Sequence, residues 1–441
     1  MRRISFGETD RRIVKLAIPA LGTLAVEPLY RLVDTAIVGR LGTNQLAGLA
    51  VAVSVLALVV AGSNFLAYGT TEQVARLLGA GAPERAAGTG VQAMWLSIIV
   101  GIASVPVLVL ASRPLAVLLG ADGEVLVHAI DYLRISALGI PFVLIALAAQ
   151  GVQRGAADYR TPLVILAASN LLNVVVELVL VYGFDLGVAG AAWSTVVAQA
   201  AAGCAFVVVI RRRLAPARSL RPDWSRMRPL VSAGSHLLLR VGSMLAVFTG
   251  STAVAARVDD ATLAAHQVCV AIFFFLALTL DALAVPAQTL VADELGRADR
   301  PAARHLGNRV IVLSLVTATA IAALLAAAAP LLARAFSADP AVVSRATSAL
   351  LVLAVLLLPG AVAFGYDGIF IGAGDYRFLG RAAFGYLLAV IPIAVIVLAT
   401  PSLGIVGIWG GLTFWMALRA YVNHRRFSVL FAPVPMATDL V

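Results

Sequence analysis

Long apolar stretches separated by short polar, mostly basic breaks run the whole length of the chain. A helix needs about 20 predominantly apolar residues to cross the hydrocarbon core of a bilayer. Twelve stretches meet that requirement: residues 15–39, 45–69, 86–111, 126–149, 162–183, 188–210, 228–255, 262–290, 306–333, 347–370, 380–400 and 404–424. Segments such as Val51–Ala61 do not alternate apolar with polar residues, as the short strands of a membrane β-barrel would. The pattern predicts an all-α polytopic membrane protein of about twelve transmembrane helices.

Composition supports this. Of 441 residues, 61% are hydrophobic and 13% charged, whereas a soluble domain carries roughly 25% charged residues. The net charge of +10 would suggest a nucleic-acid partner, but its distribution does not. With the N-terminus placed inside, 25 Lys and Arg fall on inner loops, among them Arg2, Arg3, Arg11, Arg12, Lys15, the seven arginines from Arg211 to Arg228, and Arg419. Six fall outside: Arg40, Arg113, Arg134, Arg257, Arg334 and Arg345. Arg31 and Arg240 lie within spans. This is the positive-inside bias. It places both termini in the cytoplasm and predicts a multi-pass protein of the cell membrane, with the lipid bilayer as partner and no nucleic acid. The apolar run from Ile13 outlasts a signal-peptide core, and Glu27, Arg31 and Asp34 interrupt it, so it reads as a retained first helix. The two cysteines, Cys204 and Cys269, both fall inside spans and make neither a disulfide framework nor a metal spacing.

The chain repeats itself. Gly155-Ala156-Ala157-Asp158-Tyr159-Arg160 recurs as Gly372-Ala373-Gly374-Asp375-Tyr376-Arg377, an offset of 217. The same offset takes Thr35-Ala36 to Thr252-Ala253, Arg40 to Arg257, Leu78-Gly79 to Leu295-Gly296, and Gly187 to Gly404. Two pseudo-symmetric six-helix bundles follow, at 1–210 and 228–441, joined by a basic linker at 211–227. Six spans is an even number, so the halves enter the membrane in the same sense and the repeat is parallel. Two similar bundles rocking about a cavity suit a transporter that works by alternating access.

Ionisable residues at membrane depth are expensive and therefore mark function. On the first helix Glu27, Tyr30, Arg31 and Asp34 share an arc of roughly 100°, so one face of an apolar helix is polar and should line a cavity. Glu27 and Arg31, at i,i+4, can neutralise one another. Asp34 has no equally spaced basic partner on its own helix, which suits a group that takes up and releases a proton in a low dielectric. On the fifth helix Asn173 and Glu177 are again at i,i+4, and the sixth carries Thr195. With Asp34 they would form a hard-oxygen site for a proton or Na⁺. Asn173 and Thr195 equally suit interhelical hydrogen bonding. Asp281 and Asp367 are the second-half candidates, Asp367 close to the inner surface. His266, Trp95, Trp193 and Trp409 read as interfacial. No Walker A sequence is present, so an ion gradient and not ATP should power transport, with no cofactor beyond the coupling ion.

These motifs resemble the multidrug and toxic compound extrusion (MATE) family, in particular its DinF-like branch. The resemblance rests on Glu27-Pro28-Leu29-Tyr30-Arg31-Leu32-Val33-Asp34-Thr35-Ala36 in the first helix, Gln153-Arg154-Gly155 before the fifth, Asn170 to Glu177 with Gly187–Ala192, and Leu263-Ala264-Ala265-His266-Gln267. It implies a monomeric pair of six-helix bundles exporting drug-like small molecules by antiport with H⁺ or Na⁺, and no enzymatic activity. It also implies a coupling role for Asp34, with Asn173, Glu177 and Thr195 as partners and Tyr30 lining the cavity. Many relatives have aspartate where Glu177 stands. The longer side chain alters a tight Na⁺ cage and favours a proton. The competing readings are a lipid-linked saccharide flippase of the same superfamily, which calls for a strongly cationic cavity, and a polytopic membrane transferase.

Overall fold

The computed structural model describes residues 7–432. Arg2 and Arg3, counted above as inner charges, lie outside the described residues. Fourteen α-helices follow in order: α1 (Glu8–Gly39), α2 (Thr43–Ser63), α3 (Phe65–Gly79), α4 (Pro83–Leu118), α5 (Gly123–Ala137), α6 (Ile140–Gly155), α7 (Arg160–Leu178), α8 (Gly187–Leu214), α9 (Trp224–Val258), α10 (Asp260–Gly296), α11 (Arg300–Phe336), α12 (Pro340–Ala373), α13 (Tyr376–Ala399) and α14 (Gly404–Leu430). The described residues contain no strand. Among the described residues eleven helical segments are long and apolar enough to span a bilayer, α2 and α3 counting as one, and the pair α5–α6, bent by 51°, is the candidate twelfth. The bend follows from sequence. Pro141 at the start of α6 has no N–H to offer the carbonyl one turn back, so the fourth apolar stretch breaks into two pieces. Gly101 of α4 admits the break, since a Cβ there would lie 2.6 Å from Pro141 Cα.

Contacts divide the chain into two compact units. One is Ile18–Gly234; the other joins the described parts of Met1–Ala17 and Ser235–Val441. The division points, after Ala17 and after Gly234, are themselves 217 apart, so α1 and α9 change unit at equivalent positions. The first turns of α1 are held by charge: Arg309 donates to both Asp10 oxygens, at 2.8 and 2.5 Å, and Arg12 pairs with Asp293 and Glu294 at 3.1 and 3.0 Å. Those of α9 are held by apolar burial, with Met227 and Leu230 inside the core that includes Leu66, Ala93 and Phe206.

In each unit an equivalent pair of helices meets backbone to backbone. Gly151 and Gly155 of α6 face α3, where added Cβ atoms would lie 2.8 Å from the Ala67 carbonyl and 3.0 Å from that of Thr71. Gly368 and Gly372 of α12 face α10 in the same way: a Cβ on Gly372 would sit 2.5 Å from the Gln288 carbonyl, and one on Gly368 would run into that of Ala284. All four contacts map onto each other through the 217 offset, so the small-xxx-small spacing belongs to the repeat. Gly→Ala in a helix is otherwise stabilising, by up to about 1 kcal/mol. Gly368→Ala is expected instead to cost about 1–3 kcal/mol by overpacking, while Gly385→Ala on α13, with open space around it, raises the Tm in detergent. Equal Tm gains for both would refute the close-packing account.

Candidate functional site

The first unit gathers the polar residues of its spans at one place. Asp34 on α1, Asn173 and Glu177 on α7 and Thr195 on α8 are all buried, and Tyr30, one turn before Asp34, is half-buried. Helix α7 passes into a π-helical turn, Val179–Gly183, directly after this group, a distortion common at functional positions. Thr195 is the hub. Its hydroxyl donates to the Ala191 carbonyl at 3.0 Å and lies 3.2 Å from the Tyr30 hydroxyl, 3.5 Å from that of Tyr132 and 3.5 Å from Asn173 Nδ2. When its one proton goes to Ala191, Thr195 serves the tyrosines and the amide as an acceptor, and it can accept two donors at a time.

That arrangement turns the remaining oxygens toward an unmet need. Asp34 Oδ1, Asn173 Oδ1 and both Glu177 oxygens are buried without a hydrogen-bond donor. Buried acceptors left in this state cost about 1–3 kcal/mol each. The Asp34 and Glu177 carboxylates interact directly, and as two anions they offer each other only acceptors. One proton between them makes a hydrogen bond of that contact. A small cation bound by the same oxygens neutralises the pair.

Glu27 and Arg31 form an i,i+4 ion pair at 2.5 Å on the exposed side of α1, separate from this buried group. Asp367 and Asp281 belong to the second unit. There Arg240 and Arg419 both bind Asp367 Oδ2, at 2.6 and 2.7 Å, while Asn423 donates to Oδ1 at 3.3 Å and Tyr386 donates to Asn423 at 3.0 Å. Asp281 stands within electrostatic reach of Arg240, Asp367 and Arg419. A cavity of about 10 Å³, room for one water, is lined by Arg240, Asp367, Tyr386, Arg419 and Asn423 together with Met244 and Trp415.

Three expectations are corrected here. Arg419 is not an inner-loop charge: it is buried on α14, with Trp415 4.7 Å from its guanidinium carbon, which leaves 24 inner charges against six outer ones. His266 is not interfacial either. It is wholly buried, its Nε2 3.3 Å from the Ser251 hydroxyl and 3.2 Å from that of Thr252. Trp409, also expected at an interface, is fully buried against the His266 ring at 5.7 Å. Sequence reading missed Tyr132, which carries no local signal, and the pair Arg419 and Asn423, whose i,i+4 spacing inside the last apolar stretch is such a signal.

Known proteins resemble the chain throughout. The sequence profile of the MatE family matches residues 19–179 and 238–396, once in each half. Protein DETOXIFICATION 44, chloroplastic, of Arabidopsis thaliana is 31% identical over 98% of this chain and 84% of its own length. DNA damage-inducible protein F of Escherichia coli is 27% identical, covering 96% of this chain and 94% of its own. Among solved structures, a MOP superfamily transporter from Pyrococcus furiosus superposes with a TM-score of 0.89 at 22% identity, over 96% of each chain. A crystal structure of MATE in the bent conformation superposes with 0.90 at 23% identity, over 96% of each chain. These likenesses to solved structures establish the fold. With the profile matched in both halves and relatives similar over nearly the full length, the chain belongs to the MatE family of multidrug and toxic compound extrusion transporters.

Proposed function

We propose that this transporter exports small organic compounds in exchange for H⁺, with Asp34 and Glu177 as one proton site and Asn173, Thr195 and Tyr30 shaping it. The observation that carries this reading is that three buried oxygens of the Asp34 and Glu177 carboxylates, together with Asn173 Oδ1, have no hydrogen-bond donor. Two carboxylates close together in a low dielectric cannot both stay ionised without a cation between them. Na⁺ held by Asp34, Asn173, Glu177 and Thr195 is the alternative ion, and H⁺ and Na⁺ would compete for the site. The test is efflux from proteoliposomes under imposed ΔpH or ΔpNa. Glu177→Gln is expected to change the pH dependence of transport, and its effect is expected to be strongly non-additive with that of Asp34→Asn. Asp281→Asn, in the other unit, should keep the pH profile even where it lowers the rate. Additive effects at Asp34 and Glu177 would end the shared-site reading.

A second reading, flipping of a lipid-linked saccharide, draws support from Arg240 and Arg419, two guanidinium groups that line the second unit's small cavity. The first unit's acidic pair weighs for the exporter. The reading also includes a monomer with both termini in the cytoplasm and no chemical transformation of its substrate. Single cysteines at Ala217 and Ala298 should then react with an impermeant maleimide only from the cytoplasm, and one at Ser402 only from outside. Labelling of Ala217 from outside would reverse the orientation.

A further inference from the structure

On either side of the carboxylate pair, α7 holds α1 by its backbone. Before the pair, Asn170 Nδ2 donates to the Val26 carbonyl at 3.4 Å; after it, the Tyr182 hydroxyl donates to the Ile37 carbonyl at 3.0 Å. Ile37 lies in the last turn of α1, where carbonyls run out of partners within the helix. The next donor along the chain, the Arg40 N–H, reaches this carbonyl at a long 3.3 Å. A hydroxyl from another helix is therefore favoured there, at the negative end of the helix dipole. Ile37 follows Asp34 by three residues, so the two share a face of α1.

Tyr182 reaches that carbonyl because of the π-helical turn. Glu177 and Tyr182 are five residues apart, and in a regular α-helix such residues point about 140° away from each other. The turn at Val179–Gly183, closed by the Phe184 N–H on the Val179 carbonyl at 3.0 Å, holds one residue more than an α-helical turn. The extra residue brings Tyr182 back to the side of Glu177, and both side chains meet α1. Gly190 of α8 backs the turn: a Cβ there would lie 3.0 Å from the Leu180 carbonyl carbon. The second unit is built otherwise. The 217 offset takes Asp34, Glu177 and Tyr182 to Ser251, Ala394 and Ala399, and α13 runs to Ala399 without a π-helical turn. Among the described residues, turn, tyrosine and carboxylate pair occur together in one half and are missing together from the other.

We infer that Tyr182 is a positioning residue for ion coupling: through the Ile37 carbonyl it fixes the end of α1 against α7 and so sets the spacing of Asp34 and Glu177. This rests on the reading of that pair as one proton site. Two carboxylates held close share a proton more tightly than two that can drift apart, so freeing the end of α1 weakens the sharing. The other titratable groups around the pair are Tyr30 and Arg31 on α1 and Tyr132 on α5, while α8 contributes the uncharged Thr195. A change at Tyr182 leaves each of them in the chain. The experiment is infrared difference spectroscopy of the purified full chain in lipid nanodiscs, titrated with acid and base. The C=O band of a protonated carboxyl that Asp34→Asn and Glu177→Gln each remove or alter reports the pair. If no such band titrates, the proton reading itself fails, and this inference with it. Tyr182→Phe keeps the ring and loses the hydroxyl alone. In this variant the midpoint of the band is expected to move to lower pH by up to about one unit, the most that the free energy of one hydrogen bond supplies. An unmoved midpoint, whatever happens to the Tm, overturns the positioning role and leaves the proton site standing.

Discussion

Asp34→Asn is expected to abolish ion-driven efflux while the protein inserts, folds and becomes more stable. Asparagine has the shape of aspartate but cannot ionise, so the site can no longer bind and release a proton through this residue. The amide also offers two donors to a place where both Glu177 oxygens have none, and relieving one buried unsatisfied acceptor stabilises by about 1–3 kcal/mol. The opposite signs of the two effects make the result diagnostic, because a merely damaged protein would lose both activity and Tm. Transport by the variant at the unaltered rate under an imposed gradient would remove Asp34 from the mechanism.

A second large effect is expected in the other unit. Arg419 and Arg240 share one Asp367 oxygen, and Arg419 and Asp367 are both buried. Removing one member of a buried ion pair costs about 3–5 kcal/mol, because its partner's charge stays behind without water. Arg419→Met should fall in that range, since Arg240 still serves Asp367. Asp367→Asn should cost more, because it strands two guanidinium groups. Thermal unfolding in detergent measures both, and a milder loss for Asp367→Asn than for Arg419→Met would show that the two arginines do not depend on Asp367.

Much of this was legible in the sequence, for identifiable physical reasons. A bilayer imposes span length and charge placement so strictly that twelve apolar stretches and their arginine-rich breaks outline the fold, and the repeated Gly-x-x-Asp-Tyr-Arg loops align its halves. The first-unit site was legible because Asp34, Asn173 and Glu177 are polar residues at helical spacing in apolar surroundings, and the structure brings them together. Tyr132 was not, since a tyrosine in an apolar stretch is compatible with core, interface or site, and only tertiary packing sets it beside Thr195. Arg419 misled for a similar reason. Near the end of a span an arginine reads as an anchor to the membrane surface, and its burial is decided by Asp367, 52 residues away. The same holds for His266 and Trp409, which pack ring beside ring inside the second unit and leave no trace of that in local composition.

The equivalent points at which α1 and α9 change unit bear on how such a chain arose. A single ancestral half would have carried an N-terminal arm that its own bundle did not hold, and two copies would have closed only by trading arms, each into the other's socket. Fusion of the two copies would have fixed that trade in one polypeptide. Once fused, the sockets were free to diverge, one becoming the charged seat of Asp10 and Arg12, the other the greasy seat of Met227 and Leu230. Chemically unlike seats cannot accept each other's arm, so the divergence encodes which end belongs where. Swapping the two arms would set Asp10 and Arg12 into an apolar seat, a desolvation cost that favours each arm in its own place.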